Sequence, residues 1–193
     1  MSSCRSSARV VALALTLGLG CATQGAFFPP GALDGEAELD AWLGGWFEPA
    51  LSALHEPALV AESGAHVVRV LVLPSFDHPL SMRVKIRRSG RGVLIVRRAS
   101  GWGGYDPGYL ARARRVPLSR AKVRRLLFLL ERADFWVSGA TFGYPGRNDG
   151  TTVVLEAVRG GQYHVVHDDY AGELAQIVRL LSRYAWPLRA RRR

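Results

Sequence analysis

Cysteine is scarce. The 193-residue chain has two, Cys4 and Cys21. That number excludes a disulfide-rich scaffold, and their spacing excludes a paired CxxC metal or redox motif. No HExxH occurs, no Gly-x-Ser-x-Gly elbow occurs, and the glycine-rich stretch Gly101–Gly108 lacks the Gly-Lys-Ser/Thr that completes a P-loop. These absences remove the zincin, hydrolase-elbow and nucleotide-loop readings. No motif asks for a cofactor or a metal, and none is expected. Lysine is nearly absent too: only Lys85 and Lys122 among 26 basic residues. No internal repeat is evident. An apolar run, Val10–Leu19, has ten residues, about half of what a membrane-spanning helix needs.

That run belongs to another kind of segment. Arg5 and Arg9 precede it, and Gly20-Cys21-Ala22 follows it. Charge, then apolar residues, then small residues is the layout of a secretory signal. Leu17-Gly18-Leu19-Gly20-Cys21 resembles a bacterial lipoprotein lipobox. The resemblance implies cleavage before Cys21, a diacylglyceryl group on its sulfur and acylation (palmitate or similar) of the new amino terminus. A plain secretory cut after Ala22, giving a secreted periplasmic protein, is the alternative. Cys4 would leave with the leader, so Cys21 would be the single mature thiol, and acylation accounts for it. One acyl chain holds a protein to a membrane only marginally, whereas several hold it firmly. Ala22, where inner-membrane lipoproteins of the enterobacterial type carry Asp, favours the outer membrane, facing the periplasm. Nucleic acid is an improbable partner for an exported chain.

Removing residues 1–20 leaves 173, enough for one domain with its own core. The division expected is a signal peptide at 1–20, a lipidated tether at 21–33, one globular domain at 34–187 and an arginine-rich tail at 188–193. The net charge of +10 is unevenly spread. No Lys or Arg lies between Arg9 and Arg69, a gap holding seven acids: Asp34, Glu36, Glu38, Asp40, Glu48, Glu56 and Glu62. From Arg69 onward 24 basic residues face nine acidic ones, an excess of +15. Two uses of this divide compete. The acidic segment docks on the basic body, or a basic face meets an anionic envelope polymer or lipid headgroups.

The periodicities predict an α+β fold. Asp34–Leu54 reads as a helix capped by Asp34, with Gly44-Gly45 and Pro49 breaking it near Glu48. His66–Leu73 is a strand, interrupted by Pro74–Pro79. Leu80–Arg88 alternates, with Met82, Val84 and Ile86 on one face and Arg83, Lys85 and Arg87 on the other. A turn at Ser89–Gly92 leads to the strand Val93–Arg98, then comes the Gly101–Gly108 loop and a short strand, Tyr109–Val116. Ser119 caps a second helix with Val123, Leu126, Leu127 and Leu130 inward. Thr151–Val158 and Gln162–Asp168 form a hairpin about Gly160-Gly161, and a last helix spans Gly172–Tyr184. Short turns imply a single antiparallel sheet of about five strands, with helices packed on one face and a polar face left over.

Chemistry concentrates on the second hairpin. A two-residue turn pairs Arg159 with Gln162 and sets Glu156 opposite Val165. Glu156, Tyr163 and His167 then share a face, the one constellation suited to acid–base work in an envelope enzyme, hydrolase-like in class. No nucleophile accompanies it. His164 and His167 fall on opposite faces, which opposes a shared metal. Arg83, Lys85, Arg87, Arg97 and Arg98 form the candidate binding face for a polyanion. Trp102 and Tyr105, on the glycine-rich loop, are candidates for stacking on a ligand such as a glycan; the alternative is that they fold back onto the sheet.

Asp149-Gly150, Leu155-Glu156, Gly160-Gly161 and Tyr163-His164-x-Val166, with Phe135-Trp136 and Gly103-Gly104-Tyr105, resemble a motif of a family of small, uncharacterised bacterial lipoproteins and exported proteins. Val153-Val154 and His167-Asp168-Asp169-Tyr170 depart from its pattern. The resemblance implies the fold and the address, and no activity. The whole points to a lipid-anchored envelope protein with a binding or structural role.

Overall fold

A computed structural model describes residues 26–62, 64–140 and 150–186. The signal segment, Cys21 and the 188–193 tail lie outside the described residues, as does Asp149. The elements in chain order are α1 (Ala37–Ala53), a 3-10 turn at Leu59–Glu62, β1 (His66–Pro74), β2 (Leu80–Ile86), β3 (Gly92–Ala99), β4 (Leu110–Leu118), α2 (Arg120–Arg132), β5 (Thr151–Arg159), β6 (Gln162–Asp169) and α3 (Gly172–Ala185). One antiparallel sheet of six strands carries them, in the order β4-β3-β2-β1-β5-β6. The fold is α+β.

The first four strands form a meander, as their short connections require. The chain then passes through α2 and returns to the free edge of β1, where β5 pairs with it. The hairpin register is the one the sequence implies. Arg159 pairs with Gln162 and Glu156 with Val165, and Gly160 and Gly161 both take positive φ, at 60° and 84°. Two successive positive φ values define the two-residue turn that matches strand twist, and glycine adopts them without strain.

Alternation along the strands separates two faces. Val68, Val70 and Val72 of β1 pack with Met82, Val84, Leu94, Val96, Val153 and Leu155 under α2 and α3. Leu126 and Leu130 of α2 and Ile177 and Leu181 of α3 close this layer. Ser119 caps α2 as expected, its Oγ accepting the Lys122 amide at 3.4 Å.

The opposite face is covered as well, which corrects the expectation of helices on one face only. Leu43, Phe47, Ala50 and Leu51 of α1 pack with Leu71, Leu73, Val154 and Val165. β1 is therefore apolar on both sides, apart from Arg69. The sequence signature of such a strand is a continuous run, Val67-Val68 and Val70–Leu73, rather than clean alternation. Helix α1 continues through Pro49 without the expected break. The missing Pro49 N–H costs one bond, and burial of Phe47, Ala50 and Leu51 on either side of it holds the helix to the sheet.

Part of the stretch expected to serve as a tether is packed on the domain. Phe28 and Leu33 are buried in the α1 layer, and Phe28 meets Phe47 edge to face, with centroids 6.2 Å apart. Asp34 does not cap α1: it accepts the Glu36 amide two residues on. Asp40, in the first turn, does the anchoring instead. Its carboxylate accepts the amides of Gly31, Leu33 and Asp34 at 2.9, 2.8 and 3.1 Å. Partial burial opposes ionisation of Asp40, but the three donors outweigh it and hold the carboxyl below its ordinary value. A lowered folded value stabilises the fold above the unfolded value and ceases to do so as pH falls through the folded one. Asp40→Ala should therefore cost about 1 kcal/mol at neutral pH. The difference between the urea midpoints of wild type and variant should shrink in acid. An equal difference at both pH values would show that the carboxylate charge is not what ties the segment down.

Candidate functional site

The α1 face of the sheet holds a buried ion network. Arg69 sits at the middle of β1, 0% exposed, in register with Glu156 on β5 and Arg83 on β2. Glu156, also 0% exposed, takes Arg69 Nε at 2.7 Å and Nη2 at 2.6 Å on one oxygen. Its other oxygen accepts the Tyr163 hydroxyl at 3.0 Å. Arg69 Nη1 donates to the Pro57 carbonyl at 2.6 Å. Burial holds the Glu156 carboxyl above its ordinary value, and Arg69 and then the Tyr163 hydroxyl offset part of that rise. Burial, and then the neighbouring Glu156 charge, raise Tyr163 and keep it a hydrogen-bond donor.

The network continues outward through the segment after α1. Glu56 receives Arg83 Nε at 2.8 Å and Arg97 at 3.1 Å, with Arg69 at 4.0 Å. Glu62 receives Arg83 Nη1 at 2.8 Å and Lys85 at 2.9 Å. The acidic segment thus docks on the basic body, one of the two uses the charge divide allows. Arg83, expected to point to solvent, is 4% exposed. The reason is the Glu56–Glu62 turn, which lies over the polar side of β2 and β3 and supplies the carboxylates those arginines need once water is removed.

The candidate residues therefore separate. Arg83 and Arg97 are tied into the network. Lys85 is half-exposed and paired, and Arg98 pairs with Asp77 at 3.3 Å. Arg87 is exposed near the β2–β3 turn. Glu156 and Tyr163 are joined as the hairpin geometry implies. His167 shares their face but engages neither. Its Nε2 lies 3.0 Å from the Leu33 carbonyl, and its ring lies 5.6 Å from that of Phe47. Burial lowers the His167 imidazole, and the Leu33 carbonyl acts in the other direction. His164 is on the opposite face, its ring 4.9 Å from that of Phe135. Among the described residues no group of three His, Cys, Asp or Glu is disposed to hold a metal ion.

A second cluster lies at the end of the sheet where β1 leaves and β2 enters. Trp102 and Tyr105 do not fold back. They are 53% and 71% exposed, and both rings approach Phe76 of the β1–β2 loop, at 6.3 and 6.4 Å between centroids. Phe76 is 61% exposed and Tyr109 is 72%. The loop beneath them is braced. Gly101 N–H donates to Pro107 O at 2.9 Å, Trp102 N–H to Asp106 O at 2.7 Å and Gly103 N–H to Asp77 O at 3.0 Å. His78 Nδ1 lies 2.8 Å from Gly101 O. Gly103 passes so near β1 that a Cβ would stand 2.6 Å from Pro74 O, which is why glycine is needed there.

Sequence reasoning missed Arg69, Glu56 and Glu62 as partners, and Phe76. A signal existed for the first: Arg69 and Glu156 each interrupt an apolar strand, and two opposite charges in buried strands imply one another. No family model matches the chain, and no curated protein matches it.

Proposed function

We propose that this chain is a lipid-anchored protein of the bacterial envelope, outer-membrane and periplasm-facing, with a binding or structural role. The observation that carries the reading is Cys21, set directly after a charged lead and an apolar run. It would be the single thiol left once that lead is removed. The packed segment Phe27–Asp34 fits the same reading, since it leaves only a few residues between the acylated cysteine and the body of the domain. The partner class is anionic, a lipid headgroup or an envelope polymer.

The test is Cys21→Ala in cells, followed by fractionation. The wild type should stay with membranes through a high-salt wash and the variant should leave them. Retention of the variant after that wash would overturn the anchor. Glu156, His167 and Tyr163, the residues of the alternative enzyme reading, work in this proposal as parts of the packing. Glu156 and Tyr163 spend their polar atoms on Arg69 and on each other, and His167 spends one on Leu33.

A further inference from the structure

We infer that the loop end bearing Phe76, Trp102, Tyr105 and Tyr109, with Arg112 and Arg114 beside it, docks the domain on the headgroup layer of an anionic bilayer. The inference rests on the reading that the protein works at a membrane, and it requires no acylation.

Three observations carry it. The first is the aromatic cluster itself. Four large rings stand more than half exposed on neighbouring loops, and two of them, Trp102 and Tyr105, gather around a third, Phe76, rather than around the core. A contiguous apolar patch held out to solvent marks an interaction surface. The backbone bonds below it keep the rings presented, so exposure is built into the loop. Tryptophan and tyrosine are the side chains that favour the membrane–water boundary, with an apolar ring and a polar tip.

The second observation is the charge around the rings. From Arg97 to Arg115, the parts of β3 and β4 that flank the loop, the chain has five basic residues and one acid, Asp106. Arg112 and Arg114 lie exposed on the edge strand β4, and Arg112 is in register with Arg98 next to the loop. The interior arginines have Glu56, Glu62 and Glu156 as counter-ions. Among the described residues no carboxylate pairs with Arg112 or Arg114. Cations flanking an aromatic patch are complementary to anionic headgroups.

The third observation favours a bilayer over a glycan. Stacking a sugar on such rings calls for acidic or amide groups beside them to bond its hydroxyls. The two carboxylates present each commit one oxygen to their own loop. Asp106 accepts the Gly108 amide at 2.8 Å. Asp77 accepts the His78 amide at 2.7 Å and pairs with Arg98. The His78 amide holds the Asp77 carboxyl below its ordinary value; burial opposes it, and Arg98 adds support.

The experiment uses the full chain carrying Cys21→Ala and vesicles of phosphatidylcholine with or without phosphatidylglycerol. The wild-type loop end should bind the anionic vesicles and release as salt rises. Arg112→Glu with Arg114→Glu should weaken that binding about thirtyfold or more at low salt. Phe76→Ser, Trp102→Ser and Tyr105→Ser together should weaken it by at least about tenfold. Both variants change exposed side chains, and an unchanged urea midpoint verifies that they fold. The apolar leader is common to every chain compared. Lipids brominated on the acyl chain should quench part of the tryptophan fluorescence, and Trp102→Phe should abolish that part. Binding that ignores both sets of substitutions, or quenching that ignores Trp102→Phe, would overturn the proposal. So would loop-dependent retention on glycan strands without binding to vesicles. Failure of the anchor is read separately, in the fractionation of the Cys21→Ala cells.

Discussion

Truncating Arg69 to Ala should lower the unfolding free energy by about 3–5 kcal/mol, because it leaves the Glu156 carboxylate buried without its partner. Tyr163 would still donate one hydrogen bond, but a hydroxyl does not neutralise a carboxylate in a dry interior. Replacing both members, Arg69→Met with Glu156→Leu, should recover most of the loss. Apolar side chains of similar volume fit between the layers already packed around β1 and β5, and neither leaves a charge behind. The measurement is a urea titration of wild type, both single variants and the double variant. A double variant no more stable than Arg69→Ala would show that the pair is not the unit, and that the Arg69 bond to Pro57 and the Glu56 carboxylate nearby carry the stability instead.

Phe47→Ala should cost a similar amount, about 3–5 kcal/mol. Phe47 is fully buried at the centre of the α1 layer, within ring contact of Phe28, Trp46 and His167. Its removal takes away the side chain that joins the segment before α1, the helix and β6. Loss should extend beyond the cavity: amide exchange in 27–53 should rise more than in β2 and β3. A uniform rise across the sheet would mean that α1 and the sheet unfold as a single unit.

These two effects arise where the reading of the chain as one-sided failed. The strands, their turns and the second hairpin's register were legible, because alternation, Gly-Gly and apolar runs are local properties of neighbouring residues. So were the Ser119 cap of α2 and the inward faces of α2 and α3, whose apolar stripes are clean. The α1 layer was not legible. Arg83, Lys85 and Arg97 look like a solvated strand face until Glu56 and Glu62, remote in sequence, are placed over them. Pro49 looks like a helix breaker until the burial on either side of it is counted.

The aromatic loop illustrates the same limit from the other direction. Sequence indicated a glycine-rich loop with aromatics, and the structure adds the close approach of Gly103 to β1. Whether Trp102 and Tyr105 turn inward or outward depends on Phe76, which reaches them from the preceding loop. Neither segment carries that information alone.

Local chemistry in the sequence determined the α+β class, the antiparallel pairing of adjacent strands, the Glu156–Tyr163 adjacency and the concentration of cations after Arg69. Tertiary structure decided that β5 returns beside β1, and that choice sets Arg69 against Glu156. It also decided which cations are neutralised and which remain on the surface. The physical reason is that periodicity reports which side chains share a face, whereas burial depends on what later folds over that face. A charge is costly or free according to that second fact.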